Sequence, residues 1–161
     1  MVINYRESYG IFGCCGVLFN HESYLRSNNF FIKKVIRTAI EINKGKQEEL
    51  RVGNIDLKRD FGYAPAYVEA MWLMLQQEEA KDYLVCSGES LSLREIVNYV
   101  FQKLNIPLTA LVEDKSLFRP NEIQNIYGDN SKAKQELGWK YDYLFFDVLD
   151  FLIDEEIKNS P

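Results

Sequence analysis

The stretch that decides the fold is Ile11-Phe12-Gly13-Cys14-Cys15-Gly16-Val17-Leu18-Phe19, followed by Asn20-His21-Glu22-Ser23. Nine small or apolar residues run almost without interruption and give way to polar, titratable ones. A run of this length with clustered Gly and Cys predicts a strand buried on both faces, as in a parallel sheet. Polar side chains just after such a strand stand where open α/β sheets place their ligands.

Outward from this stretch, strands alternate with helices. Residues 20–29 read as a loop. Residues 30–43 read as a helix, with Phe31, Val35, Ala39 and Ile42 at helical spacing and Gly45 as its stop. Leu50-Arg51-Val52 is a short strand before the turn Gly53-Asn54. Pro65 suits the first turn of the next helix, whose apolar face is predicted to be Val68, Met71, Trp72 and Leu75. Residues 83–86 form a strand. Ser92-Leu93-Arg94-Glu95 is a capping box opening a helix with Leu93, Ile96, Val97, Val100, Phe101 and Leu104 as its apolar residues. Residues 109–112 read as a strand. Asp129 or Ser131 caps a brief helix ended by Gly138, and Phe145, Val148, Leu149, Leu152 and Ile153 line a last helix. Residues 2–9 read as the end of a helix. The alternation predicts an α/β architecture in a single domain over residues 1–161.

Composition narrows the function. The 161 residues are 47% hydrophobic, enough for a sizeable core. A formal net charge of -5 argues against nucleic acid as partner. No apolar run approaches the ~20 residues of a membrane span, and the N-terminal residues do not read as a signal peptide. Three cysteines without metal-ligand spacing read as reduced structural thiols, with Cys14-Cys15 on a buried strand, which fits a cytoplasmic setting. No metal ligands are assigned.

Two motifs mislead. Gly10 to Gly16 has the glycine spacing of a dinucleotide-binding turn, but such a turn must follow a strand and open a helix; here the order is reversed. Tyr99-x-x-x-Lys103 matches the acid/base pair of short-chain dehydrogenases, which needs a neighbouring nicotinamide. It stands instead on an amphipathic helix, and chance is the better reading.

Longer ordered matches carry more weight. They are Asn4-Tyr5-Arg6-Glu7, Leu18 to Ser23, Gly53 to Gly62, Tyr67-Val68-Glu69-Ala70-Met71-Trp72-Leu73-Met74-Leu75-Gln76-Gln77, Phe118-Arg119-Pro120-x-Glu122 and Gly128-Asp129-x-Ser131-Lys132-Ala133-Lys134. In this order, over nearly the whole chain, they resemble the C-terminal part of the GDP-mannose 4,6-dehydratase family, within the extended short-chain dehydrogenase/reductases. The resemblance implies the C-terminal part of a Rossmann-type parallel sheet with a small α/β substrate-binding subdomain. It implies NADP as cofactor, GDP-mannose or a related GDP-hexose as substrate, and a homo-oligomer. It implies a lyase reaction: oxidation at C4, loss of water across C5 and C6, and return of hydride to C6. The product is GDP-4-keto-6-deoxymannose, a GDP-fucose precursor. The family's NADP glycine turn, its catalytic Thr/Ser and Glu, and its Tyr-x-x-x-Lys pair precede the equivalent of Asn4. No catalytic residue is therefore assigned, and the chain alone is expected to be inactive.

Residue by residue, the resemblance places His21 and Arg26 at NADP, although Tyr24 and Leu25 stand where the family has Pro and Arg. It places Asn20, Lys34, Arg59, Arg119 and Glu122 at the substrate. A guanidinium fork binds two phosphate oxygens at once, which favours Arg59 and Arg119 as diphosphate ligands. Each residue has a plainer alternative. His21 and Arg26 could belong to a capped surface loop, and Asn20 to a turn. Lys34 could be an exposed helix lysine, and Glu122 a solvated loop acid. Arg59 could pair with Asp56 or Asp60, and Arg119 with Glu122. Beside the dehydratase reading stand a non-catalytic sugar-nucleotide-binding module and an interaction protein that associates through uncovered apolar faces.

Overall fold

Three parallel strand pairs, each closed by a long crossover, organise the molecule. The computed structural model describes residues 1–159. Helix α1 spans Val2–Tyr9, β1 Gly16–Leu18, β2 Asn20–Glu22, α2 Phe31–Asn43 and β3 Leu50–Val52. Strands β4 (Lys58–Arg59) and β5 (Phe61–Tyr63) lead into α3 (Ala64–Met74) and β6 (Tyr83–Val85). Then come β7 (Leu91–Ser92), α4 (Leu93–Lys103), β8 (Leu111–Glu113), β9 (Asn125–Ile126), α5 (Ser131–Leu137) and α6 (Phe145–Asn159).

Strand β1 pairs with β6, β2 with β5 and β3 with β8, all parallel. A fourth sheet holds β4 between antiparallel β7 and parallel β9. Parallel pairs need crossovers of a dozen or more residues, and the intervening helices supply them. The α/β expectation therefore holds.

Two apolar cores result. In the larger, α2, α4 and α6 pack through Val35, Ile36, Ala39, Val97, Val100, Phe101, Leu149 and Ile153 against Leu50 and Phe61. In the smaller, Tyr67, Ala70 and Met74 of α3 meet Val85, Leu137 and Trp139. The Trp139 indole N–H donates to the Ala66 carbonyl at 3.0 Å.

The capping box forms: the Ser92 hydroxyl accepts from the Glu95 N–H, and the Glu95 carboxylate accepts from the Ser92 N–H. Gly138 ends α5 in the left-handed region. The brief helix α5 begins after Asn130, and Asp129 accepts from the Ser131 N–H at 2.8 Å.

Several sequence expectations are corrected. The buried strand over residues 11–19 is only Gly16–Leu18, and Val17 is 52% exposed. Among the described residues its one strand partner is β6, so the ladder covers one edge. Cys14 and Cys15 lie ahead of the strand, half-buried as free thiols. Side-chain contacts hold this segment: the Cys15 N–H donates to Asp82 at 3.0 Å. Residues 20–22, read as loop, form β2. The strand over residues 109–112 begins only at Leu111, after a 3-10 turn at Leu108–Ala110.

On α3 the buried face is Ala66, Tyr67, Ala70 and Met74, while Val68, Met71, Trp72 and Leu75 are exposed, Trp72 by 60%. The helix is apolar almost all round, so periodicity cannot choose its inner face. Tyr67 makes the choice. A Cβ at Gly62 would lie 2.4 Å from the Tyr67 ring, so only glycine lets the ring seat against β5.

A buried ion pair ties α2 to α6. Lys33 Nζ donates to Glu156 at 2.5 Å and to the Tyr24 carbonyl at 2.9 Å. Arg37 lies 3.4 Å from the same carboxylate. Lys33→Met is expected to cost about 2 kcal/mol, because Glu156 keeps only its half-exposed partner. Pairing it with Glu156→Leu should restore most of that loss in thermal unfolding.

Candidate functional site

Strand alternation builds the site. Residues two apart on a strand share a face, so Asn20 and Glu22 of β2 point into one hollow and His21 into another. The first hollow has a volume of about 290 Å³. Its wall joins Asn20, Glu22, Arg26, Arg59, Arg119 and Glu122, and its apolar lining includes Phe30, Phe31, Ile55, Leu57 and Leu117. The second is a shallow face of Val17, Leu18, Asn20, His21, Arg26, Arg59 and Ile126. Asn20, Arg26 and Arg59 belong to both.

Local structure aims these groups. Arg59 Nη1 donates to the carbonyls of Lys58 at 2.7 Å and Ile123 at 2.8 Å, which joins β4 to the loop carrying Arg119 and Glu122. In that loop Asn121 takes a positive φ of 60°, a conformation asparagine tolerates better than most residues. Asn20 Nδ2 donates to the Asp60 carbonyl at 3.3 Å. The Arg26 guanidinium stands 3.5 Å above the centre of the Phe30 ring.

The ion-pair alternatives for the arginines are absent. Asp56 accepts from Arg94 Nε at 2.8 Å, which lowers the Asp56 pKa from the ordinary carboxylate value. Asp60 is occupied by backbone and hydroxyl donors. Among the described residues neither Arg59 nor Arg119 meets a carboxylate within ion-pair distance.

His21 sits beside the hollow rather than in it. Its ring packs 5.2 Å from the Tyr67 ring, and Nδ1 is 2.8 Å from the Phe19 carbonyl. A carbonyl only accepts, so Nδ1 carries a proton, and in the neutral ring Nε2 is the acceptor. Lys34 lies outside both hollows, its Nζ donating to the Arg51 carbonyl at 2.8 Å. The Tyr99 hydroxyl and Lys103 ammonium both bind Asp150 of α6, at 2.7 and 2.9 Å, which leaves that pair a structural one.

Two residues at the site escaped sequence reasoning. Asp60, 0% exposed, entered it only as a partner for Arg59. Its Oδ1 accepts from the Ser87 N–H at 2.9 Å and hydroxyl at 2.8 Å. Its Oδ2 accepts from Gly88 N–H at 3.0 Å and Gly128 N–H at 3.3 Å. Gly128 can approach because a Cβ there would lie 2.6 Å from Cys86 Sγ. Glu22 lies within the stretch from Leu18 to Ser23, and the resemblance assigns it no role. Its two-residue spacing from Asn20 was the available signal. Burial pushes its pKa up to about 7, against the pull of Arg26.

The fold matches that of RMD from Pseudomonas aeruginosa complexed with NADPH, with a TM-score of 0.87 and 24% identity over 96% of this chain and 51% of that one. It also matches dTDP-glucose 4,6-dehydratase from Bacillus anthracis in complex with NAD, with a TM-score of 0.84 and 17% identity over 98% of this chain and 49% of that one. The architecture is thus a Rossmann-type α/β fold. The family model for GDP-mannose 4,6 dehydratase matches residues 1–151, and the chain belongs to that family. GDP-mannose 4,6 dehydratase 1 of Arabidopsis thaliana is 45% identical over 157 residues, 97% of this chain and 44% of that protein. The chain spans about half the length, or less, of the curated relatives it matches.

Proposed function

We propose that this chain supplies the GDP-sugar-binding part of a GDP-mannose 4,6-dehydratase. The observation that carries the reading is the convergence of Arg26, Arg59 and Arg119 on one hollow in a chain of net charge -5. Three guanidinium groups face two carboxyl groups there. Stability explains such a cluster poorly, since surface pairs contribute only ~0–1 kcal/mol. A diphosphate explains it well. In this reading Arg59 and Arg119 hold the diphosphate, Glu122 accepts from ribose hydroxyls and Asn20 from or to the sugar. The apolar wall around Phe31 and Ile55 takes the base. Lys34 takes no part in this reading, because its ammonium is held at the Arg51 carbonyl outside the hollow.

NADP is the cofactor in this reading. With its Nδ1–H held by the Phe19 carbonyl, His21 presents Nε2 to an amide or hydroxyl of the cofactor, and Arg26 supplies charge. These residues fit a cofactor's edge and contribute no acid/base pair. Turnover in this reading also uses a segment carrying the dinucleotide turn and that pair, which the resemblance places ahead of Asn4. The exposed apolar residues Val17, Leu18, Val68, Met71 and Trp72 offer it a docking face. Homo-oligomerisation belongs to the assembled enzyme.

The test uses the Arabidopsis relative's remaining residues, expressed separately. Mixed with this chain they should convert GDP-mannose to its 4-keto-6-deoxy product, while either alone is inactive. Turnover by this chain alone would overturn the division of labour.

A further inference from the structure

Glu22 has no role in the reading above, yet it lines the same hollow as the arginines. Its side chain is only 3% exposed. Among the described residues no hydrogen bond reaches its carboxyl, and its one charged contact is Arg26 Nε at 3.6 Å. Arg26 Nε is itself buried without a hydrogen-bond partner. The guanidinium is instead supported from below by Phe30. The two groups are thus close enough to feel each other's charge but are not locked together.

We propose that Glu22 is a positioning residue acting through Arg26, a buried carboxyl that sets how much positive charge Arg26 offers to an anionic nucleotide diphosphate. The proposal rests on the nucleotide-binding reading of the hollow and deepens it.

The surroundings single out this pair. From α2, Lys33 borders the small cavity behind Glu22, but its ammonium is committed to Glu156 and the Tyr24 carbonyl. From α6, Leu152 is apolar and Glu156 is held by Lys33 and Arg37. From β5, Tyr63 stands opposite Glu22 in register, and its own N–H takes the Tyr141 hydroxyl as acceptor. From α3, Tyr67 packs on neighbouring His21. Across the hollow stand Arg59, Arg119 and Glu122. Arg26 is the nearest charge without another partner.

Burial places the carboxyl's titration at about pH 7. Below that pH Glu22 is neutral, and the full charge of Arg26 meets the ligand. Above it the carboxylate offsets the charge that Arg26 offers the ligand. A bound anion in turn favours the protonated carboxyl, by linkage.

The experiment is calorimetric titration of the 161-residue chain with GDP-mannose and, separately, with NADP, at pH 6 and pH 8. GDP-mannose suits the purpose because its diphosphate is a diester with no ionisation in this range. Wild-type affinity for at least one ligand should fall roughly fivefold from pH 6 to pH 8. Glu22→Gln should hold the pH 6 affinity at both values. In an Arg26→Gln background, Glu22→Gln should change nothing, a result that a merely structural role would not give. A fall for GDP-mannose alone places Arg26 at the sugar nucleotide, and a fall for NADP alone places it at the cofactor. Binding with the same pH dependence in wild type and Glu22→Gln overturns the role of Glu22 and leaves the nucleotide-binding reading intact. No binding of either ligand at either pH overturns both.

Discussion

Asp60→Ala is expected to lower the unfolding free energy by about 4 kcal/mol. The carboxylate is fully buried and accepts from four donors on two loops, those of Ser87, Gly88 and Gly128. Alanine leaves the donors without partners in a space closed to water. Asp60→Asn should cost about half as much, since one oxygen survives while the amide faces donors with a donor. The backbone adds a second consequence. Asp60 N–H donates to the Ile126 carbonyl at 2.9 Å, and its own carbonyl accepts from Asn20. Loosening it therefore disturbs Asn20 and neighbouring Arg59 at the rim. Chemical denaturation measures the loss. An alanine variant less than 1 kcal/mol below wild type would show that water replaces the carboxylate.

The second effect is on binding. Arg119→Ala and Arg59→Ala should each weaken GDP by about 2–3 kcal/mol, roughly a hundredfold. Lysine at either position should recover only part of the loss, because an ammonium is a point charge and cannot grip two oxygens. Arg59→Ala should also lower stability slightly, since Arg59 bonds the Ile123 carbonyl. Arg119 makes no described hydrogen bond, so its variant should bind weakly at unchanged melting temperature. That contrast separates a ligand contact from a structural one.

How much of this was readable from sequence depends on the kind of signal. Helices with one apolar stripe were the more readable: α4 buries Ile96, Val97, Val100 and Phe101 as their spacing predicts, whereas in α2 Val35 and Ala39 are buried, Phe31 and Ile42 only partly, and the face is completed by Ile32, Ile36 and Ile40. The exposed stripe of α3 was not, because an all-round apolar helix carries no direction and Tyr67 against Gly62 settles it through space. The short strands β4, β5, β7 and β9 have two or three residues each, too few for alternation to show. They nevertheless position the arginines. Asn20, Arg59, Arg119 and Glu122 came from ordered resemblance, and the structure brings them together. Lys34 came the same way and stands apart. Asp60 and Glu22 act through burial, which a sequence position does not reveal.

Calorimetric titration of the purified chain with GDP is the most direct measurement. One site with micromolar affinity, lost in Arg59→Ala and Arg119→Ala, is the expected result. No heat of binding at millimolar GDP, from a chain that unfolds cooperatively and is therefore folded, would contradict the assignment of this hollow to a guanosine diphosphate.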